Sequence, residues 1–120
     1  MADNPILNPY AIQALRDLSP DGGAEFLREL ITIYLADTPR QLAELEDALG
    51  RQDAAKVTRA AHTIKGSSGN FGAAEFTQLA YAIELQGKAN DLAAAAAALP
   101  EFKRSYARVA AALEQLAAAG

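Results

Sequence analysis

Residues 26–50 read FLRELITIYLADTPRQLAELEDALG, and the inward-phased positions Leu27, Ile31, Tyr34, Thr38, Leu42, Leu45 and Leu49 step by threes and fours. That period lays one continuous stripe along a helix, broad enough to face a bundle core. Pro39 falls inside the stretch, where a proline removes a backbone hydrogen bond and kinks the axis. The stripe keeps its phase through Thr38 and Pro39. The segment therefore reads as one long kinked helix ended by Gly50, not as two helices with a free linker.

The flanking segments follow the same pattern. Asn8-Pro9 has the form of an N-cap followed by proline at the first helical position, opening a short helix that turns Ile12 and Leu15 inward and ends near Leu18. Ser19-Pro20 repeats the start signal, and Gly22-Gly23 loosens the turn that follows. Asp53 can cap a third helix with Val57, Ala61, Ile64, Ser68 and Phe71 on one face. A fourth is expected from about Gly72 to Gly87 with Phe76, Leu79, Ala80 and Ile83 inward. Asn90-Asp91 starts a fifth whose seam runs through Leu92, Ala95, Leu99, Phe102, Tyr106, Val109, Leu113 and Leu116, with Pro100 leaving the phase intact. The alanine run 93–98 is low in complexity, but alanine is the best helix former. No segment alternates like a strand. The expected fold is all-α: an antiparallel four-helix bundle with a short additional N-terminal helix as a lid, and residues 1–120 forming a single domain.

Composition removes several classes of function. With no cysteine there is no disulfide, thiol catalysis or thiolate metal site. A single histidine makes a zinc centre, a haem or a di-iron bundle a poor match, so no metal or cofactor of its own is expected. A formal charge of −4 argues against nucleic acid as partner. No apolar run approaches the roughly 20 residues that span a bilayer, and the first residues lack the pattern of a signal peptide. A cytoplasmic protein, monomeric by default, is the expectation.

Chemistry is concentrated on the third helix. At about 100° per residue, His62 lies roughly 140° from the stripe of Val57, Ala61, Ile64 and Ser68 and points to solvent. Ala55, Arg59, Gly66 and Gly69 share its side, with Thr58 and Lys65 at the flank. An imidazole titrates near about pH 6.5, so its neutral, nucleophilic form is abundant at pH 7. A phosphoryl group placed on it would attract Lys65, one turn along, and Arg59 on the other side. Two glycines inside a helix are costly, at about 0.5–1 kcal/mol each relative to alanine, so Gly66 and Gly69 ask for a reason. Gly66 sits one turn beyond His62, where a side chain would crowd the imidazole or an approaching partner, while Gly69-Asn70 can also end the helix. Ser67 and Ser68 read as small packing residues, since Ser68 is on the core stripe and no base is at hand to activate either.

His62-Thr63-Ile64-Lys65-Gly66-Ser67-Ser68-Gly69-Asn70-Phe71-Gly72-Ala73 resembles the signature of the histidine-containing phosphotransfer (HPt) family, and the likeness extends to Leu79 and to Ile83-Glu84-Leu85-Gln86-Gly87. The resemblance implies a phosphocarrier of a two-component relay, not an enzyme. His62 would be the phosphoacceptor at Nε2, Lys65 the residue that steadies the phosphoryl group, and Gly66 the small residue beneath the imidazole. Glu84 falls where the family often has a polar side chain, commonly an amide; a carboxylate there would accept a hydrogen bond from Nδ1 and repel the phosphoryl group. The implied partners are response-regulator receiver domains and a histidine kinase, with magnesium bound by the receiver. No glycine-rich phosphate loop or nucleotide fingerprint occurs, so ATP would be used elsewhere. The docking surface should surround His62 on the second and third helices, including Ala55, Thr58, Arg59, Gly66 and Gly69. Two alternatives accompany this reading. One is a non-catalytic bundle that docks a receiver with His62 incidental, and the other is a module excised from a hybrid or chemotaxis-type kinase.

Overall fold

The computed structural model describes residues 6–19, 21 and 23–119, in five helices. They are α1 (Pro9–Asp17), α2 (Gly23–Gly50), α3 (Ala54–Gly69), α4 (Ala74–Lys88) and α5 (Leu92–Ala119). No strand occurs among the described residues. Pro20 of the expected start signal and Gly22 of the loosened turn lie outside them.

Short connections leave consecutive long helices no choice but to run antiparallel. Each of α2 and α4 packs on both α3 and α5, which closes a four-helix bundle, and α1 lies against α2. The caps are those that the local sequence dictates. Asn8 Oδ1 accepts the Tyr10 N–H at 2.8 Å, Asp53 Oδ1 the Lys56 N–H at 3.2 Å, and Asp91 Oδ1 the Ala94 N–H at 3.2 Å. Both α2 and α5 run unbroken through their prolines, Pro39 and Pro100. Continuous burial of one stripe outweighs the single hydrogen bond each proline removes. None of the helices is long and apolar enough to cross a membrane among the described residues.

The interior is built around Ile31, Leu45, Ile64, Phe76, Ile83, Phe102 and Leu113, all fully enclosed. Phe76 and Phe102 stack across α4 and α5 with ring centroids 4.5 Å apart. Ser68 is a packing residue with a polar duty, for its hydroxyl lies 2.6 Å from that of buried Tyr34 and ties α3 to α2.

Some positions depart from the expected seams. Leu49 is only partly buried and Ala48 takes the interior place, because a three-residue step from Leu45 follows the stripe more closely than a four-residue one. Leu79, Leu99, Tyr106 and Leu116 likewise pack at the margin of the core, while Ser105 is enclosed. The fourth helix begins at Ala74, not Gly72. Gly72 has a φ of +67° and makes the reversal between α3 and α4, with its carbonyl accepting the Asn8 N–H at 3.1 Å.

Candidate functional site

His62 stands midway along α3 between buried Ala61 and nearby buried Ile64, with its own side chain 66% exposed. The wheel geometry thus holds. What periodicity does not reveal is how closely α4 comes alongside. At Gly87 of α4 an added Cβ would lie 2.5 Å from Thr58 Oγ1 and 3.1 Å from the Thr58 backbone nitrogen. The absence of a side chain there lets the two helices meet. Thr58 is accordingly half-buried against α4, donating its hydroxyl to the Ala54 carbonyl, and does not stand on the open face expected of it.

This close approach brings Glu84 beneath the histidine. Its side chain is 5% exposed, and a carboxylate so enclosed must be compensated. Oε2 accepts a hydrogen bond from His62 Nδ1 at 3.0 Å, Lys65 Nζ lies 2.8 Å from Oε1, and Lys88 Nζ lies 3.5 Å from Oε2. The Lys65 hydrogen bond holds the Glu84 carboxyl below its ordinary pKa of 4.5, against the upward push of burial, and His62 adds to the effect. Glu84 is therefore ionised at neutral pH and can only accept. The shared proton resides on Nδ1, and Nε2 keeps its lone pair as the free nitrogen of an exposed ring.

The other residues singled out in the sequence divide into two groups. Lys65 joins the cluster directly, with its side chain 27% exposed and its ammonium 4.7 Å from the centre of the Tyr81 ring. Arg59 is exposed and makes no ion pair among the described residues. A Cβ added at Gly66 or Gly69 would meet nothing within 4 Å. The expectation that a side chain at Gly66 would crowd the imidazole is thus corrected: the neighbouring space is open, and only a body arriving from outside can use it. α3 extends to Gly69 with Asn70 as its cap, so Gly69 closes the helix as well as lying open on the His62 side.

Two residues of the cluster were not singled out in the sequence. Lys88 could have been found from its i,i+4 spacing to Glu84. Tyr81 lies one turn before Glu84 and meets a lysine of another helix, so no local spacing announces it. A groove of about 170 Å³ lies between α2 and the end of α3, lined by Leu30, Ile33, Tyr34, Ser67 and Phe71 among others. Ile33 is 58% exposed there. No group of three or more His, Cys, Asp or Glu side chains placed to hold a metal ion occurs among the described residues.

Comparison with known proteins bears on this arrangement. The family model described as the Hpt domain matches residues 29–119. The chain is 28% identical over 80 residues to the phosphorelay protein LuxU of Vibrio harveyi, an alignment covering 67% of this chain and 70% of that protein. Its fold is similar to the crystal structure of histidine-containing phosphotransfer protein B (HptB) from Pseudomonas aeruginosa PAO1, with a TM-score of 0.88 and 24% identity, covering 98% of this chain and 99% of the other.

Proposed function

The chain belongs to the Hpt domain family, and from that premise we propose that it is a phosphocarrier of a two-component phosphorelay, receiving a phosphoryl group on His62 and passing it to a response regulator. The observation that carries the assignment of His62 is its hydrogen bond from Nδ1 to buried, ionised Glu84, which leaves Nε2 as an accessible nucleophile of defined tautomer. The donor is a receiver-domain aspartyl phosphate. The Nε2 lone pair forms the bond to phosphorus as the phosphorus–oxygen bond breaks, and the electron pair leaves with the aspartate carboxylate. Magnesium, which the receiver would bind, would supply positive charge to the phosphoryl oxygens.

Glu84 keeps the Nδ1 proton through the step, and its hydrogen bond strengthens as the ring becomes cationic. Lys65 supplies positive charge to the phosphoryl group once it is on Nε2, and Lys88 remains to balance Glu84. The repulsion expected between a carboxylate at this position and the phosphoryl group is offset by these two ammonium groups. Gly66 and Gly69 leave room for the receiver, whose aspartate must reach bonding distance of Nε2. Arg59 and the apolar groove beside Ile33 complete the docking surface. In this reading the whole chain acts as one cytoplasmic module, and ATP is consumed by the kinase that feeds the relay.

The test is incubation with phosphorylated receiver domains. Wild type is expected to acquire acid-labile, base-stable label and His62→Gln none. Label that persists on His62→Gln would remove the assignment.

A further inference from the structure

The Lys65 ammonium has two holds of different kinds. One is Glu84 Oε1 at 2.8 Å, and the other is the face of Tyr81, whose ring centre lies 4.7 Å away. Tyr81 is 43% exposed, so core packing does not account for where its ring sits. A lysine stem has four rotatable bonds and a strongly hydrated head, and an ammonium left to solvent spreads over many rotamers. Phosphorylation of Nε2 places new oxygens in competition with Glu84 for that ammonium. Glu84 can release it, because Oε2 retains both the Nδ1 proton and Lys88. The aromatic face attracts the cation's charge without competing as an ion-pair acceptor, so it can hold Lys65 near the reacting nitrogen while its oxygen partner changes.

We infer that Tyr81 is a positioning residue for phosphoryl transfer, acting through Lys65 by keeping its ammonium poised beside His62 while it exchanges Glu84 for the phosphoryl group. This rests on His62 as the phosphoacceptor. An exposed aromatic ring near the site can instead be a simple docking contact, and the experiment must separate the two.

Phosphoramidate separates them because it is a small donor that needs no docking surface. The Nε2–phosphorus bond forms as the phosphorus–nitrogen bond of the zwitterionic donor breaks and ammonia departs with the electron pair. Tyr81→Leu is expected to slow labelling of His62 by phosphoramidate about 2- to 5-fold, the range of a partly exposed cation–π contact. Tyr81→Phe, which keeps the ring, should restore the wild-type rate. In a Lys65→Met background Tyr81→Leu should have no further effect. The Lys65 ε-methylene protons should show a ring-current shift in wild type and Tyr81→Phe that disappears in Tyr81→Leu.

A wild-type phosphoramidate rate in Tyr81→Leu, with a raised KM only for the receiver, would make Tyr81 a docking contact and overturn the inference. An undiminished Tyr81→Leu effect in Lys65→Met would overturn it too. Wild type that takes no label on His62 would remove the underlying assignment, and this inference with it. Loss of the Tyr81→Leu rate alone, with His62 labelled normally in Tyr81→Phe and wild type, leaves that assignment standing.

Discussion

Gly66 lies one turn beyond His62 with open space where a Cβ would be, so its cost to the helix has no explanation inside the isolated molecule. Gly66→Ala should raise the unfolding free energy by about 0.5–1 kcal/mol in urea titrations, the ordinary gain of alanine over glycine in a helix. The same variant should slow transfer from a phosphorylated receiver by about 10- to 100-fold, because a displaced partner loses the bonding geometry. Labelling by phosphoramidate should be unchanged, and an unchanged receiver rate would refute the clearance role. Glu84 makes a prediction in pH. Its folded pKa is depressed below 4.5, so the stability it contributes is fully present above about pH 4.5 and is lost as pH falls through the lower folded value. The stabilisation of wild type over Glu84→Gln, read from urea titrations, should therefore diminish as pH falls below about 4.5. Of the candidate site residues, the placement of His62, Lys65 and Gly66 on one side of α3 was legible from one helix. Lys88 was within reach of the i,i+4 rule from Glu84, whereas Tyr81 meets Lys65 only because α4 comes close against α3 at Gly87, which no period encodes.

The helices themselves were readable because each carries an unbroken stripe, and Asn8, Asp53 and Asp91 cap three of them as their positions suggest. Turns were harder. Gly72 resembled a helix start, but it is the left-handed reversal on which α1 is hung, and only the tertiary contact with Asn8 reveals this. Gly72→Ala would force a side chain into a positive-φ conformation and against the Asn8 backbone. The expected loss is about 2–4 kcal/mol, combining the left-handed penalty with local overpacking. Hydrogen exchange should locate the damage first in α1 and the α3–α4 turn. Protection of α3 around His62 should persist under native conditions, since its burial rests on α2 and α4 rather than on α1. Equal deprotection of all five helices would show that α1 is integral to the bundle and not a lid.

At the scale of the molecule, the long axis of 46 Å is little more than one 28-residue helix, about 42 Å at 1.5 Å per residue. Such a rod separates what maintains the fold from what performs the chemistry. The chain is acidic overall, yet Arg59, Lys65 and Lys88 gather their charge around the one histidine, and every residue of the cluster comes from α3 or α4. α5 contributes nothing to the site directly, but it supplies Phe102, fully buried and stacked on Phe76 of α4. Phe76 is eight residues from Glu84, about 12 Å along the helix, too far for a packing defect there to reset the Nδ1 hydrogen bond. Phe102→Ala should cost about 3–5 kcal/mol, a substantial part of the about 5–15 kcal/mol that holds a typical domain together. Its melting temperature should drop by about 10–20 °C. Below the new transition, however, the rate of His62 phosphorylation per folded molecule should equal that of wild type, and through the transition the variant's labelling should fall in step with its folded fraction. A rate that falls while the variant is still fully folded would mean that α5 packing tunes the α3–α4 geometry. The separation of frame from site along the rod would then be wrong.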